Sequence, residues 1–84
     1  MTYETIVHTV NTAFAEEFEV APEKLLPEAH IKNDLGLDSL DIVDMIIVLE
    51  QAFNFKLQDR SAVANITTLG ELYDFISKLQ DLHA

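Results

Sequence analysis

Residues 33–53 read NDLGLDSLDIVDMIIVLEQAF and decide the fold. A lone serine, Ser39, stands here at the start of the most apolar segment. A helix over residues 39–53 would gather apolar side chains into one arc of about 100°. These core candidates are Ile42, Met45, Ile46, Leu49 and Phe53. Asp38 is placed to cap the helix, and Asp41 in the first turn suits the positive end of the helix dipole. The stretch therefore predicts an amphipathic helix that begins at Ser39 and faces a core.

The opposite side of this helix mixes apolar and polar residues. It carries Leu40, Asp41, Val43, Asp44, Ile47, Val48, Glu50 and Gln51. In one interpretation the apolar members are scattered surface residues, or the neighbouring loop covers them. In the other they form a docking patch for a partner whose hydrophobic groove is edged by Lys and Arg. Apolar burial would then provide affinity, and charge would provide a fast association rate.

Two further long helices are predicted on either side of this stretch. Residues 3–18 carry apolar side chains at three- and four-residue steps, with polar residues such as Asn11 on the other side and Thr2 as N-cap. The last helix opens at TLGEL, where Thr68 and Glu71 stand in capping-box relation ahead of a spaced leucine and isoleucine stripe.

A shorter helix is predicted from Arg60 to Ala64, with Asp59 as its cap, and no segment predicts a strand. The expected fold class is therefore all-α. It is a small antiparallel four-helix bundle with three long helices, a short third helix and a long loop between the first two.

The long loop covers residues 19–38, where Pro22, Pro27 and Gly36 interrupt any helical period. Gly36 suits a turn with positive φ just before the second helix. A structureless segment of this length is expected only if apolar anchors hold it to the core. The anchor candidates are Val20, Leu25, Leu26, Ile31 and Leu35.

Composition limits the classes of function. The chain has 84 residues, enough for a single domain spanning residues 1–84, and a formal net charge of −10. Such a charge disfavours nucleic acid and anionic membranes and favours basic protein partners. Without cysteine there is no disulfide framework or thiolate nucleophile, and the longest apolar run, MIIVL, is far too short for membrane insertion. A cytoplasmic location is expected.

Ser39 itself does not suit catalysis. On position alone, a serine at a helix start is most often a capping residue. A nucleophilic serine needs a base and an oxyanion hole, but there is no G-x-S-x-G motif, and His8, His30 and His83 are isolated in the sequence. A calcium loop counted from Asp34 would put Ser39 where glycine is required. Neither a catalytic residue nor a metal site is predicted, so Ser39 is interpreted as a residue on which other proteins act.

The residues DLGLDSLD, followed by an acidic and apolar helix, resemble the attachment motif of acyl carrier proteins. The likeness covers nearly the whole chain, including LEQAFNFKL at the end of the second helix and ITTLGELYDFI at the start of the last. A D-S-L tripeptide alone would be weak evidence for this family, but within so long a resemblance it is strong evidence.

The resemblance implies that Ser39 carries a covalent 4'-phosphopantetheine, that Asp38 belongs to the same site, and that the protein holds acyl intermediates rather than catalysing a reaction. Expected partners are a phosphopantetheinyl transferase and acyl-processing enzymes with basic docking surfaces. The implied partner-binding residues are Leu40, Asp41, Val43, Asp44, Ile47 and Glu50. Lysine at Asp41 or Val43 should slow the transferase with little loss of helix. The acyl cargo would be sheltered by core residues, namely Met45, Ile46, Leu49, Ile66 and Phe75.

Some positions depart from the family pattern. Gln58 replaces a usual proline, Arg60 and Ser61 replace acids, and Lys32 lies in a loop that is often acidic. These changes weaken the negative surface around the short third helix and leave a specialised pathway open beside the general fatty acid synthase. A free-standing monomer is expected. Two alternatives stay open: a carrier of aminoacyl, peptidyl or polyketide intermediates, and an unmodified helical adaptor in which Ser39 is only a cap.

Overall fold

The computed structural model describes residues 2–54, 63 and 65–83, and the regular elements in these ranges are helical. They are α1 (Tyr3–Glu17), a 3-10 helix (Pro22–Lys24), α2 (Ser39–Phe53) and α3 (Leu69–His83). The all-α class is thereby confirmed, with an isolated β-bridge between His30 and Thr68 as an addition. The short helix predicted at 60–64 lies outside the described residues, except for Val63, which is buried. A bundle of four helices therefore stays a prediction.

The second helix has the predicted bounds. Its core arc is confirmed as buried over all five predicted positions, Ile42, Met45, Ile46, Leu49 and Phe53. The helix ends because Asn54 adopts a left-handed conformation, with a φ of 54°, and its amide donates to the Glu50 carbonyl. Asparagine is one of the few residues that tolerates this conformation, so the end of the helix is encoded locally.

The first helix ends one residue before its predicted limit, because Phe18 is the C-cap, with its amide donating to the Phe14 carbonyl at 3.0 Å. Thr2 caps the start as predicted, its Oγ1 accepting from the Thr5 amide at 3.2 Å. Asn11 was predicted on the polar side, and that assignment is wrong. Its side chain is half-buried and accepts a hydrogen bond from the Tyr73 hydroxyl of α3.

The third long helix begins where the capping-box residues predicted. The Thr68 hydroxyl accepts from the Glu71 amide at 3.2 Å, while the Glu71 carboxylate accepts from the Thr67 amide at 3.2 Å, one residue earlier than in a standard box. α1 packs against both α2 and α3. A membrane crossing would need a longer and more apolar helix than any found among the described residues.

The loop from residue 19 to 38 is a packed element rather than an open connection. The predicted anchors Val20, Leu25 and Ile31 are buried, and Leu35 is half-buried against the core. Leu26 is 48% exposed, so its prediction as an anchor is wrong. Two anchors that the sequence analysis missed, Ala29 and Leu37, are also buried.

Backbone hydrogen bonds join this loop to the start of α3. The amide of Leu69 donates to the Ala29 carbonyl at 3.1 Å, and that of Gly70 donates to the Pro27 carbonyl at 2.8 Å. A Cβ at Gly70 would lie only 3.1 Å from the Pro27 oxygen, so the close approach favours glycine here. These bonds satisfy first-turn amides of α3 that no bond within the helix can satisfy.

Candidate cofactor attachment site

Ser39 is solvent-exposed and is the first residue of α2, but it is not the cap. Asp38 fills that role, because its Oδ1 accepts from the Asp41 amide at 3.0 Å. In return, Asp41 Oδ2 accepts from the Asp38 amide at 3.2 Å, which completes a capping box. The interpretation of Ser39 as only a cap is therefore wrong. The helix start is held by its two aspartates, and the serine stands at the tip beside them.

The surroundings of Ser39 suit a phosphate ester. A hydroxyl is the group to which a phosphate can be joined, and this one lies on the first turn of a 15-residue helix. The N-terminal end of a helix carries partial positive charge, which stabilises an anion there by about 0.5 kcal/mol at an exposed site. The residues present at this helix start thus fit a phosphodiester-linked group.

The loop places the helix start at a defined point. Gly36 has a φ of 75°, as predicted, and an added Cβ would meet no atom within 4 Å, so the backbone conformation and not crowding favours glycine. The next residue, Leu37, is buried, and its amide donates to the Ile31 carbonyl at 3.3 Å. Asp38 and Ser39 follow directly from this anchor.

Three apolar side chains of α2 point away from the core, as the sequence predicted. Leu40 is 78% exposed, Val43 47% and Ile47 41%. We call these three residues, together with the exposed Asp44, the outer face of α2. Val48, which the sequence grouped with them, is half-buried and lines a groove between α1 and α2. The outer face is thus narrower than predicted and lies on the N-terminal part of the helix.

Two acids predicted to bind partners have other contacts within the chain. Asp41 is half-buried, and its carboxylate is part of the capping box. Glu50 is half-buried and also has a partner within the protein. The capping box removes the reason to expect that Asp41→Lys would leave the helix intact. Asp44 is the better position for a test of charge.

Among the described residues, no group of three or more His, Cys, Asp and Glu side chains is arranged to hold a metal ion. His8 is exposed on α1, and His30 is half-buried in the loop. The acyl-shelter candidates Ile66 and Phe75 are half-buried against the core.

Residues 8–76 match the family model described as "Phosphopantetheine attachment site". The chain belongs to this family. Its members are defined by covalently attached 4'-phosphopantetheine, so the predicted cofactor and the predicted resemblance to a carrier are both confirmed. The match runs from α1 into α3 and includes the start of α2. Phosphopantetheine carriers generally do not catalyse reactions themselves, and carrying cargo implies interaction with modifying enzymes.

Proposed function

We propose that this carrier holds acyl intermediates on a 4'-phosphopantetheine arm attached to Ser39 and delivers them to enzymes of fatty acid, related lipid or polyketide biosynthesis. The observation that carries the proposal is the exposed serine at the first position of α2, with Asp38 as the cap in its place. A serine that caps nothing, on the tip of a rigid helix, is accessible to another enzyme.

The attachment chemistry requires a nucleophilic oxygen from this chain. Ser39 Oγ would form a bond to the phosphorus that carries pantetheine in coenzyme A, and the pyrophosphate bond would break to release adenosine 3',5'-bisphosphate. The hydroxyl proton would pass to a base of the transferase. When bound, the group supplies a long flexible arm whose thiol holds cargo as a thioester, which raises the local concentration of substrate for several enzymes.

The chain's own residues would position and present the arm. The capping box between Asp38 and Asp41 fixes the first turn of α2, and the helix N-terminus stabilises the phosphodiester charge. Partner enzymes would bury Leu40, Val43 and Ile47 of the outer face, and Asp44 would meet their basic residues. The formal charge of −10 would speed association with such surfaces.

We propose acyl cargo, and the apolar core supports this proposal because its side chains would shelter an acyl chain. Met45, Ile46 and Leu49 are buried in the core, and Ile66 and Phe75 are half-buried against it. Of the departures from the family pattern, positions 58, 60 and 61 lie outside the described residues, whereas Lys32 is exposed in the loop. A specialised pathway and a cytoplasmic location stay predictions. Chemical identification of the acyl group on protein isolated from its native cell would test the cargo.

The attachment site is tested by incubating the apo-protein with coenzyme A and a phosphopantetheinyl transferase and measuring the intact mass. Wild-type protein should gain one arm, and Ser39→Ala should gain none. Ser77→Ala is the matched control, because Ser77 is half-buried within α3, and this variant should be modified like the wild type. A Ser39→Ala protein that gains the same mass would show that the attachment site is elsewhere.

A further inference from the structure

Residues 30–37, which immediately precede the attachment site, form a compact turn that is closed by backbone hydrogen bonds and by one side chain, that of Asp34. Its Oδ2 accepts a hydrogen bond from the His30 amide at 2.8 Å. The His30 carbonyl in turn accepts from the amides of Asp34, at 2.9 Å, and of Leu35, at 3.1 Å. The amide and the carbonyl of His30 are therefore both hydrogen-bonded to residues at the other end of the turn. An aspartate that bonds nearby backbone amides in this way is a common means of fixing a turn.

This turn is anchored to the rest of the protein on both sides. The buried Ile31 donates its amide to the Thr67 carbonyl at 2.9 Å, just before α3. Its carbonyl accepts from the amide of Leu37, which is also buried. Because Leu37 is two residues from Ser39, the conformation of the turn sets where α2 begins.

We infer that Asp34 is a positioning residue for the modification of Ser39: by closing the 30–37 turn, it holds the serine in the arrangement that a phosphopantetheinyl transferase recognises. The inference rests on the proposed function. Asp34 acts through the backbone, so its contribution depends on an acceptor oxygen at the correct distance and not on its negative charge.

Loss of this acceptor should appear in KM. A protein whose binding-competent conformation is only partly populated binds its partner more weakly by that fraction. Once the complex has formed, the transferase holds the serine in place, so kcat should change little. For Asp34→Ala we expect KM for the apo-protein to rise about fivefold to tenfold, which is the size of effect of losing one ordinary hydrogen bond.

Two substitutions separate geometry from charge. Asp34→Asn removes the charge but keeps an acceptor oxygen, and its KM should stay within about twofold of the wild type. Asp34→Glu keeps the charge but moves the carboxylate one methylene further out, and its KM should rise. Glu28→Gln is the matched control, because it neutralises an exposed acid in the same loop, and it should leave KM unchanged.

Amide hydrogen exchange provides a readout without the transferase. Asp34→Ala and Asp34→Glu should lose protection at the His30 and Leu37 amides, while far-UV circular dichroism reports whether α2 persists. If Asp34→Ala does not fold, the Glu and Asn variants carry the test. The inference is overturned if Asp34→Asn weakens modification as much as Asp34→Ala, which would indicate charge attraction alone, or if neither Ala nor Glu changes KM. Failure of the wild-type protein to gain mass would instead refute the proposed function.

Discussion

Both faces of α2 carry large apolar side chains, but their surroundings are opposite: one face is buried and the other is exposed. Leu49 is 1% exposed, whereas Ile47, two residues earlier, is 41% exposed. Both are large and aliphatic, and two residues correspond to a rotation of about 200° around the helix. Position around the helix axis, and not hydrophobicity, therefore decides which residues stabilise the fold. The outer face keeps apolar groups that the core does not need, which favours a role in recognition.

The largest expected effect contrasts the two faces directly. Leu49→Ala should lower the free energy of unfolding by about 3 kcal/mol, because it leaves a cavity in the core. Ile47→Ala should change it by no more than about 0.5 kcal/mol. Urea denaturation followed by circular dichroism measures both. Equal losses would show that the outer face is part of the stabilising interior.

Next in size is a loss of partner recognition at the outer face. Val43→Lys should lower kcat/KM for the transferase about tenfold, because it places a charge in an apolar contact and reduces attraction to a basic partner. Helical content should be kept, since Val43 lies outside the core. His8→Lys adds a positive charge at an exposed position of α1 and serves as the control. If both lysines slow the reaction equally, net charge rather than the outer face is responsible.

A smaller effect separates two aspartates of the same helix. Asp41→Ala should lower the free energy of unfolding by about 1 kcal/mol, because it removes one half of the capping box. Asp44→Ala should have no comparable effect, since Asp44 is exposed, but it should reduce the salt dependence of the transferase rate. Thermal unfolding and rates at several ionic strengths measure the two. If Asp44→Ala lowered the stability and Asp41→Ala changed only the salt dependence, these two roles would be wrong.

The smallest expected effect is a loss of folding stability at high pH, caused by the ionisation of Tyr73 and Tyr3. Burial, followed by the neighbouring Tyr3, raises the pKa of Tyr73 above its ordinary 10.0. Burial and the Asp74 carboxylate also raise the pKa of Tyr3. The folded state therefore keeps these two protons to higher pH than the unfolded state. The tyrosines' contribution to stability should be fully present below pH 10.0 and be lost as pH rises through their folded pKa values.

This pH dependence is measured by urea denaturation from below to above pH 10.0. Tyr73→Phe should make the alkaline fall shallower, because it removes one of the raised groups. Tyr3→Phe is the comparison variant. The Tyr3 ring is half-exposed, and its centroid lies 6.2 Å from that of the Tyr73 ring. Stability that rises with alkali would contradict the expected sign.

The span of α2 was predictable because its signals are local. Asp38 and Asp41 lie three residues apart and cap the start, and the core arc follows from helical periodicity. The exposed serine was likewise predictable from its place at the helix start. The capping residue could be chosen correctly as Asp38, although Ser39 competed for the same role on position alone.

The errors fall where burial depends on a neighbour distant in sequence. Asn11 is half-buried because Tyr73, 62 residues away, donates to it. Val48 faces α1, and Leu26 is left exposed while Ala29 is buried. Periodicity indicates that a helix has an apolar side, but it does not say which other element covers each position on that side.

Local sequence signals are enough to set where α1, α2 and α3 begin, which face of α2 is buried, and that Ser39 stands at a capped helix start. These properties depend on residues within three or four positions of one another, so short-range hydrogen bonds and helical periodicity suffice. Tertiary packing, in contrast, determines that Ile31 and Leu37 are buried, that Ile31 bonds to Thr67, and that the loop bonds to the start of α3. Those contacts join segments far apart in the chain, and only packing brings them together.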